Sequence, residues 1–264
     1  MGVFDGVLLC TDLDGTLADG RSINKADADA INYFKENGGK FTLCTGRVYN
    51  YLTGLFDCVS PNTYVISLNG ALITDPITKE ILKSGFLGAD YNAAFNTVFS
   101  FYEQINEFYV YYENCVDNVK ITVEDYLKKR NEIDQAKRIH KIVFAFKNEE
   151  YAVRAEEAVN KAKRKNIICT RSWPTGVELL DNQSTKGAAV KLLKATLGAK
   201  LLVCAGDFEN DITMIEEADI GYAVENAIPL LKAKSDRITV SQKDGAISHI
   251  INEIELLLKN KPKI

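Results

Sequence analysis

Asp12-Leu13-Asp14-Gly15-Thr16 sets two carboxylates one residue apart, directly after the apolar run Val7-Leu8-Leu9-Cys10. The run has the length and composition of a buried strand, and Gly15 lets the chain turn sharply out of it. Strand ends in parallel α/β sheets are where ligands bind. Two like charges held this close repel, so the pair suits a bound cation or a pair of displaced pKa values. Taken alone, the five residues also fit an acidic turn.

Three further segments carry chemistry. Thr45-Gly46-Arg47 follows a second apolar run that ends at Cys44. A hydroxyl, a glycine N–H and a helix start make an anion site. Lys186-Gly187 opens a helical pattern; it has a lysine and a glycine, but in the wrong order for a nucleotide-binding P-loop. Gly206-Asp207-Phe208-Glu209-Asn210-Asp211 follows the run Leu201–Ala205. Its two aspartates, four residues apart across a strand-to-helix turn, suit a hard cation such as Mg2+.

The elements that must position these segments alternate. A strand is expected over residues 6–11, a helix from Lys25 to Glu36 capped by Asn24, a strand over 40–44, a short helix from Val48 to Phe56, and a strand from Tyr64 to Leu68 closed by the turn Asn69-Gly70. Such alternation predicts a parallel sheet with right-handed crossovers. From residue 84 to 182 the pattern changes to helices (Asp90–Glu103, Asn148–Lys163) mixed with antiparallel-looking strands (Phe108–Tyr112, Lys120–Val123, His140–Phe146, Ile167–Arg171, Val177–Leu180). Alternation then returns through to a final amphipathic helix, Ala246–Lys259. The expected fold class is α/β, a Rossmann-like parallel-sheet core in two parts (1–83 and 183–264), with an α+β cap domain inserted at 84–182.

With 264 residues, a net charge of −4, 46% hydrophobic and 26% charged residues, the chain reads as an ordinary globular protein. The acidic balance argues against a nucleic-acid partner and against an anionic membrane surface. No 18-residue apolar run and no secretory leader are visible, and Met1-Gly2 is not followed by the hydroxyl residue a myristoylation signal needs at position 6. The basic run Lys259–Lys263 reads as a solvated tail. Six scattered cysteines without a CxxC (Cys10, Cys44, Cys58, Cys115, Cys169, Cys204) fit a reducing cytoplasm. His140 and His249 read as structural.

The four segments together, two acids, then a hydroxyl, then a lysine, then two acids, resemble the four motifs of the haloacid dehalogenase superfamily of phosphotransferases. The turn Asn69-Gly70-Ala71, the place and size of the insertion, and the stretches Val224-Glu225-Asn226-Ala227 and Asp244-Gly245 resemble its Cof-type branch, with a type IIB cap. The resemblance covers essentially the whole chain, and none of the four motifs is broken.

The resemblance implies a Mg2+-dependent phosphatase acting on small phosphomonoesters, sugar phosphates above all, through an aspartyl-phosphate. It implies Asp12 as nucleophile and Asp14 as the acid that protonates the leaving alcohol and then activates water. Asp14 would start protonated, helped by acidic neighbours. Mg2+ would be held by the Asp12 side chain, the Asp14 main-chain oxygen and Asp207, with Asp211 beside them. Thr45, the Gly46 N–H and Lys186 would receive the phosphoryl oxygens. Asn69, Arg47 and Asn210 complete the implied substrate set: Asn210 orients Lys186 or the phosphate, while Arg47 meets substrate, meets the cap, or lies solvated. In the cap, leaving-group contacts could come from Phe108–Tyr112, Trp173 or Arg171. Two other readings stay open on sequence alone: a sugar phosphomutase, and a phospho-ligand sensor without turnover. The oligomeric state is not legible.

Overall fold

A computed structural model describes residues 2–20, 22–52, 54, 58–113, 119–129, 133 and 137–260. Met1, Cys115, most of residues 53–57 and the tail Lys261-Pro262-Lys263 lie outside them. The chain forms two compact units, Met1–Leu82 with Lys186–Ile264, and Lys83–Thr185.

The first unit begins with β1 (Val7–Thr11), the hairpin β2 (Ala18–Asp19) and β3 (Ser22–Ile23), α1 (Lys25–Glu36), β4 (Lys40–Leu43) and α2 (Tyr49–Leu52). β5 (Val65–Ser67), β6 (Leu72–Thr74) and β7 (Ile81–Ser84) follow as a three-stranded sheet in that order, with β5 and β6 antiparallel. In the second unit come α3 (Tyr91–Phe99), β8 (Ile105–Tyr112), β9 (Val119–Thr122), α4 (Val123–Lys129), β10 (Ile139–Phe146), α5 (Glu149–Lys161), β11 (Ile167–Trp173) and β12 (Gly176–Asp181). The first unit then resumes with α6 (Lys186–Leu197), β13 (Leu201–Gly206), α7 (Ile212–Glu217), β14 (Ile220–Ala223), α8 (Pro229–Lys234), β15 (Arg237–Ile238) and α9 (Ala246–Lys259).

The central sheet of the first unit is parallel throughout, in the order β15-β14-β13-β1-β4. A single parallel bridge, Cys44 with Ile66, brings β5 alongside β4. β1 reads as a continuous apolar run because both its faces are covered. Val7 and Leu9 enter the core layer that holds Ile31, Phe34, Ile250 and Ile254 of α1 and α9. Leu8 and Cys10 enter the layer that holds Val190 and Leu193 of α6 and Met214 of α7. Each such buried leucine contributes about 1.5–3 kcal/mol. From β1 the chain crosses to β4 on one side, while β13 pairs on the other, so the strand order reverses at β1 and places a ligand crevice at its carboxyl end.

One buried acid of this core lies away from that end. Asp27, in the first turn of α1, is wholly buried, and its Oδ1 accepts the Ser248 N–H at 2.7 Å, at the start of α9. Its Oδ2 has no hydrogen-bond partner. Burial raises its pKa to about 6 against the pull of the Ser248 and Ile247 N–H groups and His249.

In the second unit a five-stranded antiparallel sheet, β11-β12-β10-β8-β9, packs one face on α3 and α5. Phe108, Val110 and Tyr112 alternate into that core, beside Phe95 and Phe144, so the aromatic strand is first of all packing. The other face carries Lys141 and Glu178, a buried ion pair at 2.7 Å, with the ammonium 4.9 Å from the Tyr111 ring centre. Arg171 is one of the candidate leaving-group contacts. It is buried, paired with Glu149 and Glu156, and donates to the Pro174 carbonyl. Trp173 is partly exposed, and its indole N–H donates to Thr175. His140 is structural: its Nδ1 lies 2.7 Å from the Gly85 carbonyl and its ring stacks on Phe86. The two ends of the insertion are tied by the Lys83 ammonium, which donates to the Gln183 carbonyl.

The expected helix over Asp90–Glu103 stops at Phe99, and a 3-10 turn occupies Tyr102–Gln104. The β2–β3 hairpin, the strands β6 and β7, and α4 had no counterpart in the sequence reading. The strands among them are two to four residues long, too short to show a period.

Candidate active site

Each functional side chain sits where a strand ends or a helix begins. Asp12 follows β1 and is fixed by its N–H on the Ala205 carbonyl at 2.9 Å. Gly15, at φ +85°, turns the chain back so that its N–H meets the Ala18 carbonyl at 3.0 Å. A side chain here would be strained, and its Cβ would fall 2.5 Å from Asp207 Oδ2. Thr16 donates its hydroxyl to Asp207 Oδ1 at 2.9 Å, tying the first segment to the last. Gly187 is equally constrained by closeness, since a Cβ would lie 2.3 Å from the Thr213 carbonyl oxygen. The lysine-glycine pair therefore marks the contact of α6 with α7, and the Gly187 N–H donates to Thr213 Oγ1 at 3.1 Å.

Lys186 opens α6, an unfavourable place for a cation in the helix field. Two carboxylates compensate: the ammonium donates to Asp12 Oδ1 and to Asp211 Oδ1, each at 2.6 Å, and is fully buried. Asp211 also accepts the Asp207 and Phe208 N–H groups on Oδ2, at 2.9 and 3.2 Å. Asp12, Asp207 and Asp211 each offer an oxygen within 4.8 Å of the others. Burial, against Lys186 and with Asp211 and Asp207, holds the Asp12 pKa well above the usual carboxylate range. Burial and Asp211 raise Asp207 to about 7. Burial opposes the Lys186 charge, but Asp12 and Asp211 outweigh it and hold the ammonium protonated.

Three carboxylates, two buried and Asp207 half-buried, against one ammonium leave a formal charge of −2 on hard oxygen donors, which fits a divalent cation of the Mg2+ or Ca2+ kind. Asp12 and Asp207 present side-chain oxygens to that space. Both oxygens of Asp211 are already engaged, by Lys186 on one and by two N–H groups on the other.

The structure brings together Asp12, Lys186, Asp207 and Asp211. Asp14 is placed differently from expectation. Its carboxylate faces Arg47 in a two-bond fork, Nε to Oδ2 at 2.9 Å and Nη2 to Oδ1 at 2.8 Å, so its side-chain neighbour is a cation and not the acidic cluster. Arg47 also lies over the Tyr51 ring, 4.2 Å from its centre. The Asn210 amide donates to Asn69 Oδ1 at 3.1 Å, while Lys186 is held by Asp12 and Asp211. Thr45 is buried, and its Oγ1 accepts the Arg47 N–H at 3.1 Å. Gly46 packs against the Asn69 amide, since a Cβ there would stand 3.2 Å from Asn69 Oδ1. Sequence reasoning placed Thr16 and Asn226 within motifs but gave neither a role. The Asn226 amide donates to the Gly15 carbonyl at 2.7 Å and accepts the Gln242 N–H at 2.9 Å.

Residues 9–251 match the family model of haloacid dehalogenase-like hydrolases. The chain belongs to this family and is a hydrolase, with the type IIB cap of the Cof-type branch. It is 32% identical to the Bacillus subtilis (strain 168) protein named "Putative phosphatase YxeH", over 94% of this chain and 98% of that one. It is 26% identical to the 5-amino-6-(5-phospho-D-ribitylamino)uracil phosphatase YcsE of the same organism, over 92% and 94%. Its fold superposes on the solved structure of the HAD subclass IIB sugar phosphatase BT4131 with a TM-score of 0.73, at 19% identity, over 93% and 98% of the two chains. Among the described residues, no helix is long and apolar enough to cross a membrane.

Proposed function

We propose that the chain is a phosphomonoesterase that hydrolyses small phosphorylated metabolites through an aspartyl-phosphate on Asp12, with Mg2+ as its cation. The observation that carries this reading is the buried Lys186 ammonium shared by Asp12 and Asp211, with Asp207 beside them, at the carboxyl end of β1. That arrangement fixes one oxygen of a carboxylate and supplies positive charge where phosphoryl oxygens must sit.

In the first step an Asp12 oxygen forms a bond to phosphorus while the ester P–O bond breaks. Asp14 gives its proton to the departing alkoxide. In the second step water attacks phosphorus, its proton passes to Asp14, the Asp12–phosphorus bond breaks and inorganic phosphate leaves. The fork between Asp14 and Arg47 is about two-fifths exposed on each side chain, so opening it to a substrate costs about 1 kcal/mol or less. Thr45 and the Gly46 N–H receive the transferring oxygens, with Asn69, Asn210 and Arg47 around them. Lys186 neutralises charge on the phosphoryl group as the nucleophile approaches. The Asp12 and Asp207 side chains and the Asp14 main-chain oxygen would hold Mg2+, with Asp211 organising the loop. Bound there, the ion supplies a Lewis acid that offsets repulsion between two anions.

The functional division is a core of residues 1–83 and 183–264 with a cap at 84–182 that selects the leaving group. The names of YcsE, for a phosphorylated ribityl compound, and of BT4131, for sugar phosphates, support a polyhydroxylated phosphomonoester as substrate. A cytoplasmic place accords with such a substrate and with the buried free cysteines Cys10, Cys44, Cys169 and Cys204.

The test is phosphate release from a panel of sugar, sugar-alcohol and nucleotide phosphates, with Mg2+ and with EDTA. The expected result is Mg2+-dependent release from the polyhydroxylated esters. No release from any member with Mg2+ present overturns the reading.

A further inference from the structure

The turn after β5 is strained in a way the hydrolytic reading does not use. Leu68, Asn69 and Gly70 are consecutive left-handed residues, at φ 52°, 57° and 99°. A leucine there is a true outlier, asparagine is tolerated, and glycine is free. All three are buried. Strained backbone survives only where its surroundings over-determine it, and the surroundings here are the anion loop. The Asn69 N–H donates to the Thr45 carbonyl at 2.9 Å, and the Leu68 N–H donates to the Arg47 carbonyl at 3.0 Å. The Thr45 N–H returns to the Ile66 carbonyl at 3.0 Å.

No peptide bond here is cis, so C=O and N–H of one peptide point opposite ways. A Thr45 carbonyl held by Asn69 thus turns the Gly46 N–H away from the turn. We propose that the left-handed run Leu68–Asn69–Gly70 is the positioning device of the phosphate loop. Its working part is the pair of backbone N–H groups at Asn69, which fixes the Thr45–Gly46 peptide, and at Leu68, which fixes the Arg47–Val48 peptide on the far side of Gly46; the Asn69 side chain is secondary. This rests on the reading that Thr45 and Gly46 bind phosphoryl oxygens, and it recasts Asn69 as a positioning residue.

The two roles predict different orders in a substitution series at position 69. Asn69→Gly keeps the left-handed turn and the N–H but loses the amide. Asn69→Ala loses the same amide and disfavours the turn, and Asn69→Val disfavours it further. The probe is inorganic phosphate, titrated calorimetrically in saturating Mg2+, with kcat and KM for p-nitrophenyl phosphate and the melting temperature measured alongside. Positioning predicts that phosphate binds best to Asn69→Gly, about tenfold more weakly to Asn69→Ala, and more weakly still to Asn69→Val. The same gap should separate Leu68→Gly from Leu68→Ala, which lose nearly the same packing; this pair decides if the valine variant does not fold.

Equal phosphate affinity in the glycine and alanine variants overturns the proposal and returns the role to the side chain. An order seen in melting temperature alone also overturns it, because a purely structural turn moves only that. Thr45→Ala separates the two readings. If it binds phosphate as tightly as the wild type, the phosphate-loop reading fails on its own, whatever the series at position 69 shows.

Discussion

Replacing Lys186 by methionine keeps the side-chain volume and removes the charge. The ammonium has two 2.6 Å bonds and no exposure, so the substitution leaves Asp12 and Asp211 without their common cation. Formal charge in the cluster goes from −2 to −3. Removing one partner of a buried pair costs about 3–5 kcal/mol. At about 2–4 °C per kcal/mol for a chain of this size, the core should melt about 6–20 °C lower in EDTA at pH 8. The sign of the pH effect follows from the carboxylates. Their folded pKa values lie above the unfolded ones, so the folded state holds more protons and stability falls as pH rises through those values. Without the ammonium the values rise further, and the deficit should be smaller at pH 6 than at pH 8. Added Mg2+ should narrow it, and kcat should fall by at least about 10²-fold. Thermal melts at two pH values with EDTA or Mg2+, and phosphate release, measure all three. A melting temperature within about 2 °C of wild type at pH 8 in EDTA, or a kcat within about threefold, would refute the argument.

Asp12→Asn should abolish turnover while inorganic phosphate still binds in Mg2+; turnover near the wild-type level in steady-state assays would exclude Asp12 as nucleophile. Asp27 has a folded pKa of about 6 against an ordinary 3.8, so its ionised form destabilises the fold. The wild type should gain about 2 kcal/mol between pH 7.5 and pH 4.5 from this group, and Asp27→Asn should lose that part of the slope in urea melts. A slope unchanged by the substitution would contradict the assignment. Gly187→Ala pushes a methyl to 2.3 Å from the Thr213 carbonyl, so α6 must shift; kcat should fall about tenfold or more with its Lys186, and unaltered kinetics would show that the helices yield freely.

The four segments were legible because each couples a distinctive residue type to the end of a readable apolar run. Asp12 after Val7–Thr11 and Asp207 after Leu201–Gly206 are the clearest cases. The pairing of Asp14 with Arg47 was not legible. It joins residues 33 positions apart across two adjacent strand ends, and no local pattern announces it. The burial of Asp27 was not legible either, since it is set by α9, more than two hundred residues later. The left-handed Leu68 was hidden for a different reason. Leucine carries no preference for that conformation, so the sequence showed only the asparagine-glycine turn beside it.

The tie between Lys83 and Gln183 bears on how such a chain can be rebuilt. An insertion of about a hundred residues whose two ends meet asks its host to open at one point only. Its removal would leave a gap that a short glycine-serine bridge from Leu82 to Lys186 could span, at a loop-closure cost that rises only logarithmically with length. Modules with this geometry can be traded between related hosts as whole cassettes, because the splice touches no strand of the central parallel sheet. On the proposed division of labour, transplantation would bring new leaving-group preferences, with Asp12, Lys186 and Asp207 left in place.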